Sequence, residues 1–189
     1  MAQQIIDGKG GSNVVEVDSN HMLMTNSLQM PRILWHSVNG STVFTTYNKH
    51  TIQVDDTEEK ICYLKYTGNS YLVMNKFMVS CNNVSYPCKF EIYVNPITVA
   101  GGVEVVPINW NLDSSNSIDT TTLHTSGGSV PITTVSDGTE ILCFYSKATE
   151  GLIEVNLDGL VLGKGDSILI IAENKAGSKV RCTLHYYEE

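Results

Sequence analysis

Apolar and polar residues alternate along several stretches of the chain, and this alternation predicts most of its elements. Residues 88–94, CKFEIYV, place Cys88, Phe90, Ile92 and Val94 in one phase and Lys89, Glu91 and Tyr93 in the other. That period of two sends successive side chains to opposite faces of a sheet. KICYLKY (60–66), TEILCFYSK (139–147) and VRCTLHY (180–186) repeat the pattern with aromatic and β-branched residues, so each predicts a half-buried strand. SILIIA (167–172) is apolar almost throughout and predicts a strand covered on both faces. Shorter candidates are VVEV, HMLMT, TVFTTY, YLVMNKFMV, VEVVP, GLIEVNL and LVL, bounded by turn clusters such as YTGNS, AGG, VSDGTE and LGKGDS. No stretch holds the i, i+3, i+4, i+7 spacing of an amphipathic helix, and DDTEEK offers a single turn at most. Some ten short strands, with turns every 8 to 12 residues or so, predict an all-β chain: an antiparallel β-sandwich or jelly roll.

Two segments depart from this rhythm. IDGKGGSNVVEVDSNHMLMT (6–25) opens with a glycine-rich turn and short β-prone pieces too small to bury themselves, and Pro31 interrupts the irregular NSLQMPRILWHSVNGS that follows. Residues 1–41 are therefore expected to form an extended N-terminal arm and connector, and 42–189 the folded domain. In that arm Ile5, Ile6, Val14, Val15 and Val17 are candidate anchors into another subunit, while Gly8, Gly10 and Gly11 let the chain turn sharply. Each buried aliphatic side chain offers about 1.5–3 kcal/mol against ordering costs of about 1–2 kcal/mol per residue, so one arm binds marginally and several linked arms bind far better. The second segment, 111–137, is dominated by Ser, Thr, Asn, Asp and Gly and reads as a long surface excursion. Asn116, Ser117, Asp119, Thr121 and His124 are its candidate outward contacts.

The 189 residues favour one substantial domain plus the arm, and 42% apolar with 17% charged residues describe a folded, charge-poor protein. A formal net charge of −8 without any Lys/Arg cluster argues against nucleic acid as a partner. No apolar run approaches the ~18 residues of a membrane span and no secretion signal opens the sequence, so neither membrane nor secretion is expected and a cytoplasm is the expected compartment. The five cysteines, Cys62, Cys81, Cys88, Cys143 and Cys182, form an odd set without CxxC spacing and read as free thiols. Cys88, Cys143 and Cys182 share a phase with large apolar neighbours, which is a core position for a small hydrophobe.

Signatures of chemistry are absent from the local sequence. There is no GxSxG, HxH, HExxH or CxxC, so no catalytic centre, structural metal or cofactor is expected. His21, His36 and His124 fall in arm, connector or loop, His185 falls in the polar phase of its strand, and all four read as solvated imidazoles. LGKGDS (162–167) fails the spacing of a phosphate loop and reads as a hairpin turn. Asp55, Asp56, Glu58 and Glu59 read as a solvated acidic face, at most a weak calcium site, lacking the alternation of a dedicated loop.

Several local patterns resemble a group of structural proteins from tailed bacteriophages. Val15, Val17, Ser19 and Leu23 match a "V-x-V-x-S-x-x-x-L" piece after IDGKG, and ICYLKYTGNS (61–70) resembles their strand-and-polar-turn. The most specific match is FEIYVNPITVAGGVEVVPINWNLDSSN (90–116), carried by Asn95, Pro96, Gly101, Gly102, Val105, Pro107, Asn109, Asn111, Ser114, Ser115 and Asn116. LVLGKGDSILI (160–170) resembles the group's "LVLPKGSSIGI" stretch, with Gly163 in place of the usual proline, and the arm lacks the usual acidic, alanine-rich spacer. The resemblance implies a non-enzymatic virion component with a jelly-roll body, expected to be a homotrimer. Its implied partners are the major capsid protein or other virion proteins, as in head decoration and cement proteins. The alternative is a tail- or fibre-associated protein binding a host-surface glycan or receptor.

Overall fold

The computed structural model describes residues 58–82, 85–110, 112, 115–125, 130–146, 152–157, 159–174 and 178–189, and for 4–6, 12–14, 43–47 and 52–54 the strand backbone alone. Backbone contacts divide the chain into Met1–Pro31 and Arg32–Glu189. In the first unit β1 (Gln4–Ile6) pairs antiparallel with β2 (Ser12–Val14), Ile5 opposite Asn13.

In the second unit every strand pairing is antiparallel, and no helix occurs among the described residues. A seven-stranded sheet runs β10 (Ile108–Asn109), β3 (Val43–Tyr47), β17 (Ser178–Glu188), β6 (Leu72–Cys81), β14 (Leu152–Asn156). In the same sheet β4 (Ile52–Val54) lies beside β17 and β15 (Val161–Leu162) beside β6. A six-stranded sheet runs β13 (Thr139–Tyr145), β7 (Lys89–Val94), β16 (Ser167–Glu173), β5 (Glu59–Tyr66), β11 (Thr120–His124), β9 (Val103–Glu104). A two-stranded ladder joins β8 (Ala100–Gly101) to β12 (Ile132–Thr133).

The pairings are nested. β3 pairs with β17, β5 with β16, β6 with β14 and β7 with β13, so the chain forms one long antiparallel ribbon whose successive rungs alternate between the two large sheets. Beyond β7 and β13 the ribbon continues through the Ile97–Ser136 bridge to the β8–β12 ladder at its tip.

Alternation, reset by register shifts at Ile61 of β5 and Asn75 of β6, decides which side chains meet. Ile61, Leu64, Tyr66, Phe90, Ile92, Ile168 and Ile170 of the six-stranded sheet share one buried cluster with Leu72, Met74, Phe77, Val79, Val180, Leu184 and Tyr186 of the seven-stranded sheet. Phe77 meets Phe90 and Phe144 edge-on, ring centroids 6.5 Å apart in each pair, while Phe90 and Phe144 stack at 5.3 Å. The far side of the six-stranded sheet carries a second cluster, Tyr63, Ile132, Leu169 and Ile171. β16 is therefore buried on both faces, as its apolar run predicts: Ile168 and Ile170 join one cluster, Leu169 and Ile171 the other.

Three local expectations need correction. β13 presents Leu142 and Phe144 to the core and leaves Ile141, Cys143 and Tyr145 exposed, so Cys143 is not a core residue. Its TEILCFY run is apolar in both phases, and a register shift between Glu140 and Leu142 settles which phase turns inward. LGKGDS does not close a hairpin, because β15 belongs to the seven-stranded sheet and β16 to the six-stranded one. It is a sheet-to-sheet turn in which the Asp166 amide donates to the Gly163 carbonyl at 3.0 Å and Gly165 supplies the positive φ of 92°. Within the stretch expected to be a surface excursion, Thr120–His124 forms β11 and pairs with β5.

Candidate functional site

Of the arm residues, Ile5, Ile6 and Val14 stand on the β1–β2 ladder, whereas Gly8, Gly10, Gly11, Val15 and Val17 lie outside the described residues. His21 and His36 lie outside them too. Asn116, Ser117 and Asp119 are exposed, and Thr121 is exposed on β11. His124 is not an outward contact: it is 3% exposed, because Thr122 and His124 occupy the phase of β11 that faces the same side as Leu64 and Cys62 across the ladder. His185 is also buried rather than solvated, with the ring of Trp110 edge-on to it at 4.9 Å.

Among the described residues the surface carries a conspicuous apolar run. From β9, the end strand of the six-stranded sheet, the chain passes to β10, the end strand of the seven-stranded sheet. Over that passage Val103, Val106, Ile108, Trp110 and Leu112 all stay exposed, Val106 at 73% and Leu112 at 83%. Alternate residues from 106 to 112 are thus apolar and exposed along the chain that leads from β9 through the end strand β10, the kind of feature that strand addition or subunit packing covers. Asn109 donates its side-chain amide to the Asn116 carbonyl at 3.3 Å, tying the exposed polar residues 115–117 to this row.

A different constellation lies inside. Cys62 on β5 and His124 on β11 are directly opposite partners across the ladder, and Cys182 reaches them from β17 in the facing sheet. All three side chains are buried, and their ligating atoms lie within 4.8 Å of one another. Cys62 Sγ stands 3.5 Å from His124 Nε2, while His124 Nδ1 has no hydrogen-bond partner among the described residues. Hydrogen bonding to Cys182, reinforced by burial, holds Cys62 well above the ordinary thiol range. Donation from Cys62, assisted by His124 and opposed by burial, pushes Cys182 down. Soft sulfur and imidazole donors from three strands are the atoms that could hold a metal here.

A second grouping, on the outer side of the six-stranded sheet, is an ion-pair network. Lys89 Nζ lies 2.9 Å from Glu91, 3.3 Å from Glu58 and 3.8 Å from Glu173. Glu58, from the acidic run, is thus a partner of Lys89.

The buried cluster is illegible by local spacing, since its members come from three strands, two of them in one sheet and one in the other. Comparison of the chain with protein-family models, with curated proteins and with solved structures finds no match.

Proposed function

We propose that the chain is a non-enzymatic structural subunit of a tailed-bacteriophage virion, of the capsid decoration or cement type, with a jelly-roll body that works as a homotrimer and engages the virion through its N-terminal segment. The jelly-roll reading is supported by the nested ribbon, with β3-β17-β6-β14 on one side and β13-β7-β16-β5 on the other. The virion reading is supported by the phage-like motifs, of which the Asn95-Pro96 turn adopts a defined form. Asn95 has φ 53°, and its side-chain oxygen accepts from the Ser167 amide at 3.0 Å, pinning the turn to β16.

The observation that carries the assembly role is the exposed apolar run Val106, Ile108, Trp110 and Leu112 through the end strand β10, which an isolated subunit leaves against water. A second reading, glycan or receptor binding by a tail protein, is favoured by the exposed polar residues 115–117, tethered through Asn116 to Asn109 next to the half-exposed Trp110.

Light scattering on the purified chain tests the oligomer, with a trimer expected. Deleting residues 1–25 is expected to leave that trimer folded while abolishing its incorporation into particles. Normal incorporation of the truncated chain would overturn the role of the N-terminal segment. Adsorption of purified protein to host cells, lost on Trp110→Ala, would replace the decoration reading with the tail reading.

A further inference from the structure

From the convergence of Cys62, His124 and Cys182 we infer that the core holds a thiolate-preferring d10 cation, zinc or cuprous copper, as a staple between the two large sheets. The first ground is the donor set. Two cysteine sulfurs and one imidazole nitrogen suit zinc and cuprous ions, whereas hard cations take oxygen ligands. Among the described residues no carboxylate belongs to this cluster.

Distance is the second ground. Ligands of a tetrahedral zinc ion, at about 2.3 Å for sulfur and 2.0–2.1 Å for nitrogen, stand roughly 3.5–3.8 Å from one another. The 3.5 Å between Cys62 Sγ and His124 Nε2 matches that separation, and the remaining pairs fall within 4.8 Å. Little movement of the strands closes the set.

The third ground is the cost of the arrangement without an ion. An imidazole only 3% exposed, whose Nε2 meets the Cys62 thiol at 3.5 Å, has a weak sulfur partner in an otherwise apolar core. Coordination through Nε2 replaces that weak thiol contact by a bond to the ion, while Nδ1–H keeps no partner among the described residues. Binding releases the protons of both thiols, leaves His124 neutral with its remaining proton on Nδ1, and leaves the fourth position for water or an exogenous donor. Because Cys62 and His124 belong to one sheet and Cys182 to the other, the ion crosslinks layers otherwise joined here by side-chain packing.

The test uses the full chain purified under reducing conditions. Elemental analysis is expected to return about one zinc or copper per chain, its identity distinguishing the two ions, and the Cys62→Ser/Cys182→Ser double variant is expected to return none. Cys143→Ser, which removes an exposed thiol outside the cluster, is expected to bind as the wild type does. Should the double variant fail to fold, cobalt added to the chelator-stripped wild type provides an independent reading. Thiolate-to-cobalt charge transfer and intense tetrahedral ligand-field bands are expected, together with a rise in Tm on restoring zinc or cuprous ion. The inference is overturned if the stripped protein gains neither bands nor thermal stability, if metal content is unchanged in the folded double variant, or if mass spectrometry finds Cys62 and Cys182 joined as a disulfide in protein purified without added oxidant.

Discussion

His185 is the residue whose environment carries the clearest pH consequence. Burial lowers its proton affinity first, Lys76 opposite it on β6 lowers it further, and Glu154 partly opposes them. Its Nδ1 has no hydrogen-bond partner among the described residues, so no acceptor at that atom favours the imidazolium. A histidine held below its ordinary value of about 6.5 leaves the unfolded chain binding the extra proton more readily than the folded one. This contribution to stability is therefore full above about pH 6.5 and is lost as the pH falls from there toward the lowered folded value. Thermal unfolding followed from about pH 7.5 down to about pH 5 should show Tm falling in the wild type and falling less in His185→Phe, which keeps a ring for Trp110 to pack against. Identical slopes for the two proteins would assign the acid sensitivity to other groups.

Among the elements, β6 and β13 separate what was legible in the sequence from what was not. YLVMNKFMV was legible as a short strand candidate, but not which of its residues turn inward: Leu72 and Met74 enter the core in one phase and, past the register shift at Asn75, Phe77 and Val79 in the other. Phe77 meets both Phe90 and Phe144 of the facing sheet, so Phe77→Ala should cost about 3–5 kcal/mol, read as a lower urea midpoint. Tyr145→Ala on exposed β13 should stay within about 0.5 kcal/mol of the wild type by the same measurement. β13 itself was legible as a strand but not in its orientation, because Ile141, Cys143 and Tyr145 are as apolar as Leu142 and Phe144 and only the register against β7 chooses between them. β11 was hidden for the opposite reason. Its inward phase holds Thr122 and His124, so a buried strand carries the composition of a loop. With β11 went the placement of His124 beside Cys62 and Cys182, since proximity of residues on three strands is a property of topology and leaves no trace in spacing.

At the scale of the whole molecule, the nested ribbon brings β3 against β17 and leaves β9, β10, β13 and β14 as end strands of their sheets along the described order. Charge and apolar surface then pull in opposite directions on association. With a formal net charge of −8, identical subunits repel one another over a Debye length of about 30 Å at 0.01 M salt, shrinking to about 10 Å at 0.1 M. The row Val106, Ile108, Trp110 and Leu112 attracts by removing apolar surface from water, which added salt does not weaken. If that row forms the subunit interface, self-association should strengthen as sodium chloride rises from about 0.02 M to about 0.5 M, seen in sedimentation velocity as a shift of mass into the larger species at fixed protein concentration. Val106→Asp and Leu112→Asp each place a further negative charge in the row and should weaken association at every salt concentration, most strongly at the lowest. Association that instead weakens with salt would mean that ion pairs between complementary charges hold the subunits, and the exposed row would then have to face a partner other than a second copy of this chain.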